Sequence, residues 1–325
     1  MSGAPPAASR PARSARTALR AMPSGIWAMG LGSLFMDTSS ELIHSLLPVF
    51  MVTVLGTSML TVGLIEGVAE ATAAIMKAFS GALSDLLRRR KLLMISGYAL
   101  SALTKPIFPL AGTIGWVFGA RFLDRVGKGI RGAPRDALVA DISPAHLRGA
   151  AYGLRQALDS IGALLGPLLA VLFMLRFADN LRKVMWVGVV PALIAVVVLI
   201  AWVHDPDPGG GESRPGSRLT AADARRLPPR YWLVVAAAAV FTLARFSEAF
   251  LVLRARDVGI GLGYVPLVMI VMNVFYAGAA YPAGAIADRV SARVLLEVGL
   301  ALLVAADLVL ALAHSPAYAY LGTVL

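Results

Sequence analysis

The sequence predicts an all-α membrane protein, a helical bundle of two six-helix halves of which the second is incomplete. Three observations predict this fold: the composition, a succession of apolar segments, and an internal repeat. The 325-residue chain is 58% hydrophobic and only 15% charged, whereas ordinary soluble domains carry roughly 25% charged residues. It contains no cysteine, which excludes disulfides, thiolate nucleophiles and cysteine-based metal sites.

Nine apolar segments approach or exceed the roughly 20 residues that a helix needs to cross a bilayer. They are predicted at 26–55, 59–87, 92–112, 114–141, 146–175, 183–203, 231–255, 262–287 and 292–313. A tenth begins near Ala317 and stops at Leu325.

The basic residues bunch at the ends of these segments, which predicts the topology. The net charge of +11 therefore indicates membrane placement rather than nucleic-acid binding. Arginine-rich stretches precede the first segment and follow the second and sixth. By the positive-inside rule we expect a multi-pass protein of the inner (plasma) membrane with a cytoplasmic N-terminus. The predicted domains are a disordered basic tail (1–25), a six-helix half (26–203), a Pro- and Gly-rich cytoplasmic linker (204–230) and an incomplete second half (231–325).

The second half repeats features of the first. The stretch "GALSDLLRRRK" begins at Gly81, and "GAIADRVSARV" begins at Gly284, an offset of 203. Ser40-Glu41 matches Ser247-Glu248 at an offset of 207. Parallel repeats of this kind are typical of transporters whose substrate site lies between the halves.

With these features the chain resembles the major facilitator superfamily, over all of its length except the N-terminal tail. In that family a glycine, an aspartate four residues later and a basic cluster form a gating motif between spans two and three. The matching positions here, with their repeat in the second half, are Gly81, Asp85, Arg88, Arg89, Arg90, Gly284, Asp288 and Arg293. In span five the chain is similar to antiporters of the family at Gly162, Gly166 and Pro167. The resemblance implies twelve spans, of which about nine to ten would be present, and it favours efflux.

Charged residues also lie inside the predicted spans. A charge facing lipid costs about 2.5–3.5 kcal/mol on insertion scales, so we expect these side chains to face a water-filled cavity or to pair between helices. Four carboxylates are predicted to exchange protons during turnover, first Glu41 and Glu70, then Asp37 and Glu66. The other predicted cavity or substrate residues are His44, Arg121, Asp124, Arg125, Lys128, Arg155, Asp159, Arg245 and Glu248.

Two local expectations concern helix geometry. Arg245 and Glu248 fall at i, i+3, within ion-pairing reach on one helix. In the fourth span, glycines and a proline are expected to weaken the helix towards its end. They are Gly127, Gly129, Gly132 and Pro134.

The charge pattern supports more than one substrate class. Arg121, Arg125, Lys128 and Arg155 would favour an anion, whereas the carboxylates and His44 would favour a cation. We predict a secondary active transporter working by alternating access, with proton-coupled efflux of a small organic solute or drug.

The alternative is a nickel or cobalt exporter, with His44 as a metal ligand. Stretches such as "SSELIHSLLP" are similar to bacterial efflux permeases, including those of nickel and cobalt resistance. A second alternative is a non-transporting membrane scaffold.

No Ser-His-Asp, His-Glu-x-x-His or phosphate-loop pattern is present, so an enzyme is not expected. The expected partners are a small-molecule or ion substrate, protons and membrane lipids. We expect a monomer with no cofactor and no nucleic acid.

Overall fold

The structure is a computed structural model that describes residues 21–87, 89–204, 228–244, 247–287 and 290–325, without the side chains of 85–87, 237–238, 240–244, 280–287 and 292. The regular elements of this part are helical. The α-helices are α1 (Ser24–His44), α2 (Leu47–Thr53), α3 (Met59–Leu87), α4 (Arg90–Thr104), α5 (Ile107–Leu110), α6 (Ile114–Ile142), α7 (Arg148–Arg176), α8 (Leu181–Trp202), α9 (Pro229–Ala244), α10 (Glu248–Asp257), α11 (Leu267–Ala287), α12 (Ala292–Ala311) and α13 (Pro316–Val324). Single 3-10 turns lie at Ala145–Leu147 and Leu262–Tyr264.

Helices lie at all the predicted spans, and three of these spans are divided. The first comprises α1 and α2, and the third comprises α4 and α5, with Pro106 at the break. The seventh comprises α9 and α10, because Ser247 is extended and caps α10 by accepting a hydrogen bond from the Ala249 amide at 3.3 Å. Glu248 is therefore the first residue of α10. Arg245 lies outside the described residues, so its expected pairing with Glu248 stays a prediction.

Five helical stretches of the described residues are long and apolar enough to cross a membrane by length and composition alone. They are Met59–Ser84, Ala145–Arg176, Leu181–Trp202, Leu262–Ala279 and Arg293–Ala311. The fourth predicted span, α6, is not among them because charges interrupt its apolar character. Most of the predicted tail and linker lies outside the described residues, so the domain boundaries remain predictions.

Helix α6 packs between α3 and α4, while α1 packs along α7 and α8. The glycines of α6 do not weaken it, since the helix runs unbroken through Pro134 to Ile142. A Cβ on Gly127 would lie 2.6 Å from the Gly97 carbonyl oxygen of α4, and one on Gly129 would lie 2.9 Å from the Ala73 oxygen of α3. These glycines allow close approach of three backbones, which corrects the expectation of a weak helix.

The main contacts between the two halves in the described part of the chain lie at one end of the bundle. There α10 packs against α2 and α3, and α11 packs against α7. Phe50 and Met51 share a buried apolar cluster with Val252 and Met269 from the second half. Apolar contacts therefore join the halves at this end, which is called the closed end below.

Candidate functional site

A buried group of charged side chains joins α1, α3 and α6. The Arg121 guanidinium donates a hydrogen bond to the Glu66 carboxylate and contacts Nε2 of His44. Arg121 and Glu66 are both buried. Three residues predicted from separate spans therefore converge, and the charges of Arg121 and Glu66 compensate each other away from water.

Lys105, at the break between α4 and α5, belongs to the same group and is absent from the predicted site residues. Its exposure is 0%, and its Nζ donates to Oδ1 of Asp124 and to Oγ of Ser40, both at 2.9 Å. The sequence feature that could have revealed it is a single lysine, followed by proline, inside the apolar 92–112 segment. Because a buried ion is tolerated only with a partner, Lys105 explains how Asp124 stays inside the bundle.

A second group of arginines lies further along α6. Arg131 donates to Oγ of Ser101 at 2.8 Å, and its guanidinium lies 4.6 Å from the ring centre of Tyr98. Arg135 donates to Oγ of Ser33 at 3.0 Å and to the Tyr98 hydroxyl at 3.4 Å. Neither arginine is among the predicted site residues, and no spacing rule links them to Tyr98 on another helix.

Arg155 and Asp159 of α7 pair one helical turn apart, as their i, i+4 spacing indicates. Nη1 of Arg155 lies 2.5 Å from Oδ2 of Asp159, and its Nε lies 3.9 Å from Oδ1 of Asp136. This pair lies beside the arginines of α6, because the same Asp159 oxygen is 4.0 Å from Nη1 of Arg135.

Three of the predicted proton-carrying carboxylates remain partly exposed. Oδ1 of Asp37 is 4.0 Å from Nη2 of Arg131, and Oε1 of Glu41 is 3.7 Å from Nδ1 of His44. Oε1 of Glu70 is 3.0 Å from Nη2 of Arg125. The fourth, Glu66, is buried on Arg121. Asp37, Glu41 and Glu70 are therefore better placed than Glu66 to exchange protons with water.

Glu41 also interacts across the two halves. Among the charges that act on it is that of Glu248 at the start of α10. These two residues are equivalent in the internal repeat, so each half contributes one carboxylate to this electrostatic interaction.

Gly162 and Gly166 of α7 lie directly against α1. A Cβ on Gly162 would lie 2.6 Å from the Leu34 oxygen, and one on Gly166 would lie 2.7 Å from the Cβ of Glu41. Pro167 follows inside the same helix. The antiporter-like glycines thus set the distance between α7 and the part of α1 that carries Glu41.

The predicted gating motif is only partly described. Arg90 forms an ion pair with Asp141 at the end of α6, whereas its counterpart Arg293 pairs with Glu297 on its own helix, at 2.8 Å. Gly81 is in ordinary contact with α6, and Arg89 is exposed at the start of α4. The remaining predicted positions lie outside the described residues or have undescribed side chains: Asp85, Arg88, Gly284, Asp288 and, from the predicted cavity, Arg245.

Within the described residues, no group of three or more His, Cys, Asp or Glu side chains could hold a metal ion. His44 has two carboxylates nearby, with Asp124 at 4.0 Å from Nε2. However, the Arg121 guanidinium occupies Nε2 and brings a positive charge to the place where a metal would bind. The geometry gives no support to the nickel or cobalt alternative.

Residues 29–325 match the sequence family described as the Major Facilitator Superfamily. The chain belongs to the Major Facilitator Superfamily. This confirms the family suggested by the gating motif and the repeat. The superfamily and its fold are those of membrane transporters and not of enzymes, so the chain is a multi-pass membrane protein of the transporter class.

Relatives within this superfamily include an uncharacterized MFS-type transporter of Methanocaldococcus jannaschii, 29% identical over 289 residues, which cover 86% of this chain and 70% of the relative. An uncharacterized protein of Mycobacterium tuberculosis is 31% identical over 248 residues, covering 74% of this chain and 60% of the relative. Multidrug resistance protein MdtH of Edwardsiella ictaluri is 26% identical over 52% of this chain and 41% of that protein.

Solved structures share the fold at low sequence identity. A bacterial homologue of the human lysosomal transporter Spinster, in an inward-facing and occupied conformation, superposes with a TM-score of 0.70 at 17% identity, over 96% of this chain and 71% of that chain. A POT family transporter in complex with 5-aminolevulinic acid gives a TM-score of 0.64 at 13% identity, over 93% of this chain and 80% of that one. Major-facilitator architecture with two halves is thus confirmed.

Proposed function

We propose that the protein is a proton-coupled exporter of small organic solutes that works by alternating access. The observation that carries the proposal is the set of partly exposed carboxylates, Asp37, Glu41 and Glu70, beside charges that are fully buried. Buried ion pairs such as Arg121–Glu66 hold the first half together, whereas the exposed carboxylates can take up or release protons without breaking that half.

The closed end indicates which state the structure represents. If the N-terminus is cytoplasmic, as the positive-inside rule predicts, the closed end with α2 and α10 is the outer end. The carboxylates are then reached from the cytoplasm, as a transporter that loads its cargo for export requires. Relatives such as the multidrug resistance protein MdtH are consistent with organic cargo, although the match covers only half of this chain.

Protonation is the step that we assign to these carboxylates. Adding a proton to Glu70 removes its charge and weakens its contact with Arg125, and adding one to Glu41 removes its repulsion with Glu248 across the two halves. The change at Glu41 alters the electrostatic balance between the halves and favours a change in which end is closed, whereas the change at Glu70 frees Arg125 within the first half.

Inverted membrane vesicles that contain the full chain provide the test. After ATP-driven acidification of the lumen, the pH-sensitive dye ACMA reports compound-driven proton release on addition of ethidium, chloramphenicol or fosfomycin, which are cationic, neutral and anionic. We expect at least one of these compounds to release protons, and Glu41→Gln to abolish the release. Compound accumulation that persists after nigericin has collapsed the pH gradient would contradict proton coupling.

A further inference from the structure

The cationic side chains inside the first half differ in how many of their nitrogens have a protein partner. Arg121 has both terminal nitrogens engaged, by Glu66 and His44, and Arg155 is paired with Asp159 at 2.5 Å. Lys105 is held by Asp124 and Ser40. Each of these three cations is therefore paired with a protein acid, and among the described residues Arg121 and Arg155 each leave only Nε without a hydrogen-bond partner.

Arg125 differs from them. Only 4% of its surface is exposed, yet two of its nitrogens, Nε and Nη1, have no hydrogen-bond partner among the described residues. In the part of the chain that the structure describes, one ion pair holds it, between Nη2 and Oε1 of Glu70 at 3.0 Å, and 60% of the Glu70 side chain is exposed. A buried guanidinium with two unused donors is costly, because each donor has lost its hydrogen bonds to water.

Lys128 lies one turn further along the same face of α6. It is exposed, and no hydrogen bond or ion pair is seen for it in the described part of the chain. Its neighbours on α6 contact the partly exposed carboxylates: Arg125 lies 3.0 Å from Glu70 of α3, and Arg131 lies 4.0 Å from Asp37 of α1. Lys128 therefore lies on α6 between two residues that contact these carboxylates.

We propose that Arg125 and Lys128 form a docking site for the oxyanion of a small organic solute, a carboxylate or a phosphonate, and that Glu70 occupies this site when no solute is bound. When the solute displaces Glu70, Nε and Nη2 of Arg125 become free together. That edge of a guanidinium accepts a carboxylate through two parallel hydrogen bonds, and Lys128 adds a charge one turn away. The inference names the cargo class of the exporter proposed above and rests on that function only for what happens after binding.

The test measures binding to the purified full chain in detergent, without a membrane or a pH gradient. Ligand-detected fluorine NMR compares 4-fluorobenzoate, 4-fluorophenylphosphonate and the neutral isostere 4-fluorobenzamide, with empty micelles as the blank. We expect at least one anion to bind more tightly than the amide, and the two anions to show which oxyanion is preferred.

Four variants are expected to affect anion binding differently. Lys128→Gln and Arg125→Gln should weaken anion binding roughly 10- to 100-fold, as expected for loss of a charge-assisted hydrogen bond. Glu70→Gln should strengthen it, since the competing carboxylate is gone. Lys183→Gln changes an exposed lysine at the start of α8, outside the site, and should have no effect. Because Lys128 and Glu70 are exposed, those two variants should still fold if Arg125→Gln does not.

Two results would overturn the inference. One is equal binding of 4-fluorobenzamide and both anions, and the other is weaker anion binding by Glu70→Gln. If the anion preference is absent while compound-driven proton release persists, the docking site is rejected and the exporter proposal stands. If anions bind but no compound releases protons, the exporter proposal is rejected and the docking site stands.

Discussion

The packing of α7 on α1 makes Gly166→Ala an informative substitution. The added Cβ would lie 2.7 Å from both the Cβ of Glu41 and the amide nitrogen of Leu42, and 2.8 Å from the carbonyl oxygen of Thr38. Two of these three atoms belong to the α1 backbone, so no side-chain rotation relieves the overlap. To restore a contact of 3.4 Å, the helices must separate by about 0.7 Å.

The size of the effect follows from two opposing contributions. Overpacking a tight interface costs about 1–3 kcal/mol, whereas replacing glycine by alanine inside a helix gains about 1 kcal/mol of helix propensity. Gly153→Ala, on the same helix, isolates the second contribution, because a Cβ there meets nothing within 4 Å. The difference in unfolding free energy between the two variants should therefore be about 1–3 kcal/mol, with Gly166→Ala the less stable.

The assay is thermal unfolding of the detergent-purified full chain, followed by compound-driven proton release in vesicles. Gly166→Ala should unfold at a lower temperature than Gly153→Ala, and it should release protons more slowly because Glu41 is displaced with the α1 backbone. Equal unfolding temperatures for the two variants would refute the claim that Gly166 sets the α1–α7 distance.

Two further predictions concern buried polar contacts. Lys105→Met should cost about 3–5 kcal/mol of stability, since Asp124 is left buried without its cation, and adding Asp124→Leu should recover most of the loss in thermal unfolding. A single variant as stable as the parent would contradict this. Tyr98→Phe should lose about 0.5–1.5 kcal/mol in the same measurement, because it removes the hydroxyl contacts to Ser33 and Arg135. Tyr276→Phe, at an exposed position of α11, should change nothing, and equal losses would count against the Tyr98 contacts.

Sequence reasoning located the spans well, because the thickness of the bilayer fixes how long an apolar run must be. It did not locate the interruption at Lys105 and Pro106, since a window of 20 residues averages one lysine into an apolar background. That lysine turned out to be the partner of Asp124. An isolated charge beside a proline, inside an apolar segment, is the pattern that could have revealed it.

The convergence of interior charges was predictable, but the choice of partners was not. The cost of exposing a charge to lipid implies that Arg121 and Glu66 must be shielded. Which acid meets which base depends on how closely the helices approach, and that is set by glycines far apart in sequence. Gly127 and Gly129 illustrate the difficulty: local propensity predicts a weakened helix, whereas the structure uses them to bring α6 against α4 and α3.

The central claim is that the interior charges face water between the helices rather than lipid. Because the chain contains no cysteine, single cysteine substitutions can report on this directly. Glu70 and Ile75 of α3 are similarly exposed in the isolated chain, at 60% of the Glu70 side chain and 56% of Ile75. They point in directions that differ by about 140° around the helix. In inverted vesicles, a charged methanethiosulfonate reagent should modify Glu70→Cys rapidly and leave Ile75→Cys unmodified. Equal modification of the two variants, or modification of Ile75→Cys alone, would contradict the claim.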